Sequence, residues 1–166
     1  HARAALLRTP LDILQKEDVE VVRIHHVGAA EAVVETRLRT AFRMEKVRGE
    51  WMVREVRIGN GQWEKAGDLA RALEAVKIEE TRRALDRIAD AIGRYWETHG
   101  RLPDFKDFVS LSDLLTPAFL TPLIRVDSWN RPLEADRRGF DSILIRSAGP
   151  DGRHGTSDDI LRIFTP

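Results

Sequence analysis

The chain has no cysteine among its 166 residues. That absence excludes disulfide staples, zinc–thiolate sites, iron–sulfur clusters and thiol catalysis together, so any cross-link must be non-covalent or ionic. Neither charge is in excess: 27 Lys and Arg stand against 27 Asp and Glu, with a pI near 7.2. A protein that binds nucleic acid or an anionic membrane through its general field carries a basic face, so no nucleic acid partner is expected. Long apolar runs are missing too. Ala4 to Leu7 is among the longest, far short of the roughly 20 residues of a spanning helix, so no membrane span is expected. There is no Gly-x-Ser-x-Gly elbow, phosphate loop, dinucleotide fingerprint or His-Glu-x-x-His helix, and the expectation is a protein that is not an enzyme. The chain begins with His1 rather than Met, which fits a tag remnant or a cut downstream of a leader or anchor and leaves export open.

What is present points to a folded chain. Hydrophobic residues make up 42%, and a length near 150 residues buries about 70% of the unfolded surface, enough for one domain or two small ones. Residues 1 to 16 have the Ala and Leu content of a short helix, interrupted by Pro10. Asp18 to Val27 is β-branched and closed by Gly28, which predicts a strand. Ala32 to Val47 alternates, with Val34, Thr36, Leu38, Thr40, Phe42 and Met44 on one face and mostly charged residues on the other. That is the signature of a half-buried antiparallel strand. Arg48-Gly49-Glu50 turns the chain into Trp51 to Ile58, its hairpin partner. Three strands in a meander are thus expected before residue 66.

From Asp68 the period changes to steps of three and four, through Leu69, Leu73, Val76, Leu85, Ile88, Ile92 and Tyr95. This predicts an amphipathic helix of about 30 residues, which the polar stretch Lys77 to Arg83 could divide. His99-Gly100 followed by Pro103 marks its end. Beyond it, Leu111 to Leu115 has helical potential, and the prolines between 117 and 132 keep the backbone irregular. Phe140 to Arg146 and Ile160 to Phe164 read as the two strands of a hairpin. The reading is therefore α+β, with a strand domain over 1–66 and a long helix plus a small antiparallel sheet over 67–166. Trp51, Trp63, Trp96 and Trp129 are read as core residues.

The sharpest chemical signal is the hairpin loop within residues 147 to 160, SAGPDGRHGTSDDI. Gly149, Gly152 and Gly155 let the backbone curl, and Asp151, Asp158 and Asp159 are brought together by the curl. Like charges a few ångströms apart repel by about 1 kcal/mol per pair even in water, which a bound cation relieves. A flexible loop rich in oxygen suits calcium better than magnesium, with its strict octahedron, or zinc, with its nitrogen and sulfur ligands. The spacing is not that of an EF-hand. A plain surface turn uses Gly and Asp as well, but three of each between two strands favours the ion.

These residues resemble the C-terminal calcium loop of the major pseudopilins of bacterial type II secretion. Two more segments resemble the family in the same order. Tyr95 to Pro103 (YWETHGRLP) is similar to its helix end, and Val126 to Pro132 (VDSWNRP) to its Asp-Pro-Trp-Gly-x-Pro turn, with Ser128 and Asn130 replacing the Pro and Gly. The likeness covers about residues 80 to 163. It implies side-chain calcium ligands at Asp151, Asp158 and Asp159, with a backbone carbonyl near Ala148. It further implies an extracytoplasmic, calcium-stabilised head for protein transport, with partners in a secretion or pilus-like apparatus. The ion would act structurally, in place of a disulfide. Extracellular calcium modules bind with dissociation constants of about 0.1 to 1 mM, so the loop would fill outside the cytoplasm. The family's leader and hydrophobic filament helix have no counterpart here; the strand domain stands in their place.

A rival reading makes residues 1–66 a curved sheet that holds a small ligand or a hydrolytic site, lined by Trp51, Phe42 and His25. His25 and His26 are neighbours in a strand, so their side chains point to opposite faces and do not share a metal. Asp86 and Asp90, one helical turn apart, sit among arginines and read as a solvated face.

Overall fold

The computed structural model of the protein describes residues 15–26 and 32–166; the expected helix around Pro10 and the turn at Gly28 lie outside them. The fold is α+β, with three small antiparallel sheets and a long helix. It divides into two compact units at Arg71/Ala72, inside that helix and five residues past the composition break at 66. Among the described residues no helix is long and apolar enough to cross a membrane.

In the first unit a 3-10 turn, Lys16–Asp18, leads into β1 (Val19–His26), which pairs antiparallel with β2 (Ala32–Leu38). After a one-residue break at Arg39 come β3 (Thr40–Val47) and β4 (Glu50–Ile58), joined through Arg48 and Gly49 at φ +51° and +93°. The short β5 (Glu64–Lys65) adds to the far side of β4. The single strand expected over Ala32–Val47 is therefore two, in different sheets, and the three-stranded meander is five strands.

The break has a physical cause. The Arg39 N–H donates to the Asp18 carbonyl at 2.9 Å, and the Arg39 carbonyl accepts from the Gly59 N–H at 2.7 Å, so the strand changes partner at this residue. The Arg39 guanidinium binds the Asp18 carboxylate at 2.5 Å and the Asn60 side-chain oxygen at 2.7 Å. Asp18 has a fully buried side chain, and its carboxylate also accepts the Gln15 N–H at 3.1 Å. Alternation of apolar and polar residues runs straight through such a change of partner, because it records which residues share a face and not which strand lies alongside.

The face expected to be buried is covered only in part. Val34 and Thr36 are half-buried, while Leu38, Phe42 and Met44 are exposed. The opposite face of β3 and β4 carries the cross-strand pairs Arg43–Glu55 and Arg54–Glu45. Of the tryptophans expected in the core, Trp129 is half-buried and packs against the core of the second unit, whereas Trp51 is 65% exposed, Trp96 is exposed and Trp63 is half-buried. Trp63 offers its ring to Arg43 and Arg57, whose guanidinium carbons lie 4.7 and 4.9 Å from the ring centre, an arrangement that keeps the indole at the surface.

The helix α1 (Ala66–His99) runs unbroken for 34 residues, through the polar stretch where a division was considered. Glu79 and Arg83 pair there at 3.1 Å, one turn apart. It ends at Gly100, whose φ of +66° lets its N–H reach the Trp96 carbonyl at 2.8 Å. In the second unit Leu85, Ile88, Ala91, Ile92 and Tyr95 of α1 form one side of the core. A second helix, α2 (Phe108–Leu115), contributes Phe108, Leu111 and Leu115. Its N-cap Asp107 accepts the Ser110 N–H at 2.8 Å, and that bond holds the Asp107 carboxyl below the usual carboxylate range.

The remaining wall is the sheet β6 (Glu134–Arg138), β7 (Ser142–Ser147) and β8 (Ile160–Phe164), in that order. β7 begins two residues later than Phe140, which is fully exposed in the turn after Gly139. β6 was not anticipated. Its sequence EADRR is almost wholly polar, and only Ala135 is buried. Each fully buried Leu or Ile in this core contributes about 1.5–3 kcal/mol, so stability of the second unit resides mainly here.

The Arg39 crossing generates a prediction. A Cβ on Gly59 would lie 2.1 Å from the Asp18 carboxylate oxygen, at φ +56°. Gly59→Ala should cost about 2–4 kcal/mol in urea unfolding. Gly49→Ala, at φ +93° with open space around it, should cost only the backbone strain of about 1–2 kcal/mol. Equal losses would show that the close approach to Asp18 is not what requires glycine.

Candidate functional site

The loop of residues 148–159 joins β7 to β8 and is anchored from below by a buried carboxylate. Asp127 is 5% exposed, and its Oδ1 accepts the N–H groups of Trp129 and Arg131, both at 2.9 Å. Asn130 sits at φ +62° to close that turn. Oδ2 of Asp127 accepts the Ser147 hydroxyl at 2.7 Å, and the Ser147 oxygen in turn accepts the Gly149 N–H at 3.1 Å. On the other side of the turn, the Ser128 N–H donates to the buried Thr81 hydroxyl of α1 at 3.2 Å. The Arg131 guanidinium then reaches over the loop and donates to the carbonyls of Gly149 at 2.5 Å and Pro150 at 3.2 Å.

Gly149 is required by the close approach of backbone, and Gly152 by its positive φ. A Cβ on Gly149, at φ +59°, would meet the Asp158 carbonyl oxygen at 2.1 Å; one on Gly152, at φ +72°, would meet the Arg131 guanidinium at 2.7 Å. Arg131, Asp127, Ser147 and Thr156 were not singled out from the sequence as site residues. The available signal was Gly152, since a glycine in a turn means either an unusual φ or something packed where a side chain would go.

The predicted ligand residues are placed as follows. Asp151 turns Oδ1 to the Arg153 N–H at 2.7 Å. Asp158 accepts the Thr156 hydroxyl at 2.5 Å and the Asp151 N–H at 2.9 Å. Asp159 accepts the Gly155 N–H at 2.7 Å through Oδ2, while its Oδ1 is shut off from solvent and, among the described residues, has no donor. The Ala148 carbonyl accepts the Gly152 N–H at 3.2 Å. The loop thus links Asp151 to Asp158. Among the described residues, however, no group of three or more His, Cys, Asp or Glu side chains is gathered as a metal-holding cluster.

The electrostatics add something the sequence argument lacked. The Thr156 hydroxyl first, then the Asp151 N–H, with a smaller contribution from the Arg131 charge, hold the Asp158 carboxyl below the usual range. Arg146 is raised above the ordinary arginine value, first by its hydrogen bond to Glu134 and less by the charges of Glu134, Asp136 and Asp159. Guanidinium charge from the chain itself therefore offsets part of the carboxylate repulsion that was assigned to an ion alone. His154 lies 3.3 Å from Glu134 of β6, and not with the acids.

The residues of the rival reading do not line a cup. Phe42 and Trp51 stand exposed on one face of the β3–β4 pair, and His25 pairs with Glu35 at 3.2 Å on the half-exposed surface of the β1–β2 hairpin. A cavity of about 700 Å³ in this unit is lined mostly by charged side chains of both signs, among them Arg43, Glu55, Asp68 and Arg71.

Asp127→Ala leaves two N–H groups and a buried hydroxyl without their acceptor and should cost about 3 kcal/mol or more in urea unfolding; Ser147→Ala, which strands Asp127 Oδ2 and the Gly149 N–H, should cost about 2–3 kcal/mol. Because the Asp158 carboxyl titrates lower when folded than when unfolded, its stabilising contribution is complete above about pH 4. It is lost as pH falls through the folded value. Thr156→Val should move the Asp158 carboxyl back toward the ordinary carboxylate value in a carboxyl-carbon NMR titration; an unchanged midpoint would show that the hydroxyl is not the cause.

Comparison with family models, with curated proteins and with solved structures finds no match to this chain.

Proposed function

We propose that the second unit is a non-enzymatic, calcium-stabilised head of the major pseudopilin kind, serving as a structural or interaction module of an extracytoplasmic secretion apparatus. The observation that carries the metal reading is Asp159 Oδ1. An anionic oxygen enclosed without a donor is costly unless a cation faces it. The rest of the donor set fits a hard ion, since Asp151, Asp158, Asp159 and the Ala148 carbonyl would supply oxygen only. Calcium would contribute charge neutralisation and a tie between the start and the end of the loop. The chain's own residues already hold the base of that loop through Asp127 and Arg131.

The pseudopilin reading rests on three segments in order, and two of them touch: the turn at Val126–Pro132 is bonded to the loop through Ser147–Asp127 and Arg131–Gly149. A second reading is favoured by the donors that Asp151, Asp158 and Asp159 already have: a self-contained polar turn that needs no metal.

Thermal unfolding separates the two. At a hundredfold excess over the dissociation constant, a folded-state ligand stabilises by about 2.7 kcal/mol. For a unit of this size that raises the midpoint by about 10 °C or more, relative to excess chelator. Asp159→Ala and Asp158→Ala should each remove the calcium response. Identical midpoints with calcium and with chelator would leave the self-contained turn as the correct description.

A further inference from the structure

We propose that a cavity where the end of α1 meets the β6–β7 turn is a binding site for a neutral saccharide. The sugar lies against Trp96 and Phe140 and exchanges hydrogen bonds with Arg101, Asp104 and Asp141.

The cavity, of about 450 Å³, is built within the second unit and shares no residue with the loop of residues 148–159. One wall is the last turn of α1 and the segment after it, with Trp96, Arg101 and Asp104. The other is the end of β6 and the turn into β7, with Arg137, Phe140 and Asp141. Arg137 ties the walls together, since its guanidinium donates to the Pro103 carbonyl at 2.7 Å. The volume is that of a small-molecule site.

Both aromatic rings are open: Trp96 is 38% exposed and Phe140 wholly so. Exposed aromatic surface rimmed by polar groups marks a binding site, because a ligand that covers it recovers the burial energy. The polar groups are free as well. Among the described residues Arg101, Asp104 and Asp141 make no ion pair, and neither their side chains nor the Trp96 indole N–H makes a hydrogen bond. In the cavity of the first unit, by contrast, Arg43, Arg54 and Arg71 are each paired with an acid.

That combination selects the occupant. Two arginines stand with two aspartates, so the site has no net field to draw an anion or a cation. A purely apolar molecule would strip water from these charged groups and return no hydrogen bond. A saccharide hydroxyl is donor and acceptor at once: it can donate to Asp104 or Asp141 and accept from Arg101 or the Trp96 N–H. The C–H face of a pyranose ring presents weakly positive hydrogens, which suit the negative face of an indole or phenyl ring. A peptide backbone also offers donors and acceptors, but it spreads them along a line that takes a groove or a strand edge rather than one compact cavity.

The test uses the full chain, isotope-labelled, titrated separately with cellotriose, chitotriose and maltotriose, and with triglycine as the rival probe. At least one sugar should shift the Trp96 indole N–H and the amides of residues 96–104 and 137–141, while those of 148–159 stay in place. Phe140→Ser, at a fully exposed position to which the fold is indifferent, should weaken that sugar about threefold or more, and Asp104→Ala about tenfold. Because the ligand is neutral, its affinity should be the same at low and at high salt. No shift with any of the sugars up to their solubility would overturn the proposal, as would binding that survives both substitutions or fades with salt. Triglycine shifting the same signals while the sugars leave them unmoved would overturn it too, assigning the cavity to a peptide.

Discussion

The buried carboxylate of Asp127 is the interaction on which the second unit's loop depends. One side chain closes the turn ahead of β6, through the N–H groups of Trp129 and Arg131, and receives the hydroxyl of Ser147 at the end of β7. Ser147 passes the connection to Gly149, and Arg131, placed by the same turn, binds the loop from the other side. Thr81 extends the chain of contacts to α1. Polar bonds in a low-dielectric interior reinforce one another and are expensive to break singly. In a chain with no cysteine, this network does what a disulfide would do: it holds the entrance of a Gly-rich loop to the core while the acids beyond it remain at the surface.

That base changes what an ion would have to accomplish. The path of the loop is tied by the chain's own groups, with the Arg131 guanidinium on the Gly149 and Pro150 carbonyls and the Asp158 carboxylate on the Asp151 N–H. Carboxylate repulsion is not left wholly unopposed, with Arg131 acting on Asp158 and Arg146 near Asp159. What the described residues leave without a donor in this loop is one oxygen of Asp159. A bound cation would therefore act chiefly on that enclosed oxygen, with Asp151 and Asp158 as further donors whose present bonds are to neutral N–H and O–H groups that an ion would compete with.

Much of the architecture was legible because its causes are local. The helix Ala66–His99 follows from a 3.6 period on either side of Lys77 to Arg83, bridged there by the Glu79–Arg83 pair and ended by Gly100, and β7, β8 and the loop between them from alternation flanking glycines. Long-range choices were not legible. Nothing in Ala32–Val47 tells that Arg39 hands the strand from β1 to β4, because the deciding groups, Asp18 and Gly59, lie about 20 residues away on either side. β6 was invisible for another reason: only Ala135 in it is buried, so hydrophobic pattern carried almost no information. The acids of the loop could be found by type and spacing. Arg131 could not, since its role depends on a contact across 18 residues that only folding creates.

The two units also show how differently small folds acquire order. The second has a contiguous core in which α1, α2 and the sheet each bury several aliphatic side chains. The first has few: among its described residues Val19 and Val56 are the buried aliphatics, while Phe42, Met44, Trp51 and Val53 lie open on one face of β3 and β4. The ion pairs on the opposite face do not compensate, because exposed pairs contribute only about 0.2–1 kcal/mol each. Its order therefore rests on the backbone ladders and on the buried Asp18, whose single carboxylate binds Arg39 and Gln15 at the point where both sheets meet the same residue. A structure with so little apolar burial is sensitive to loss of a buried charge's partner in a way that a packed core is not, since among the described residues Arg39 is the cation that Asp18 pairs with.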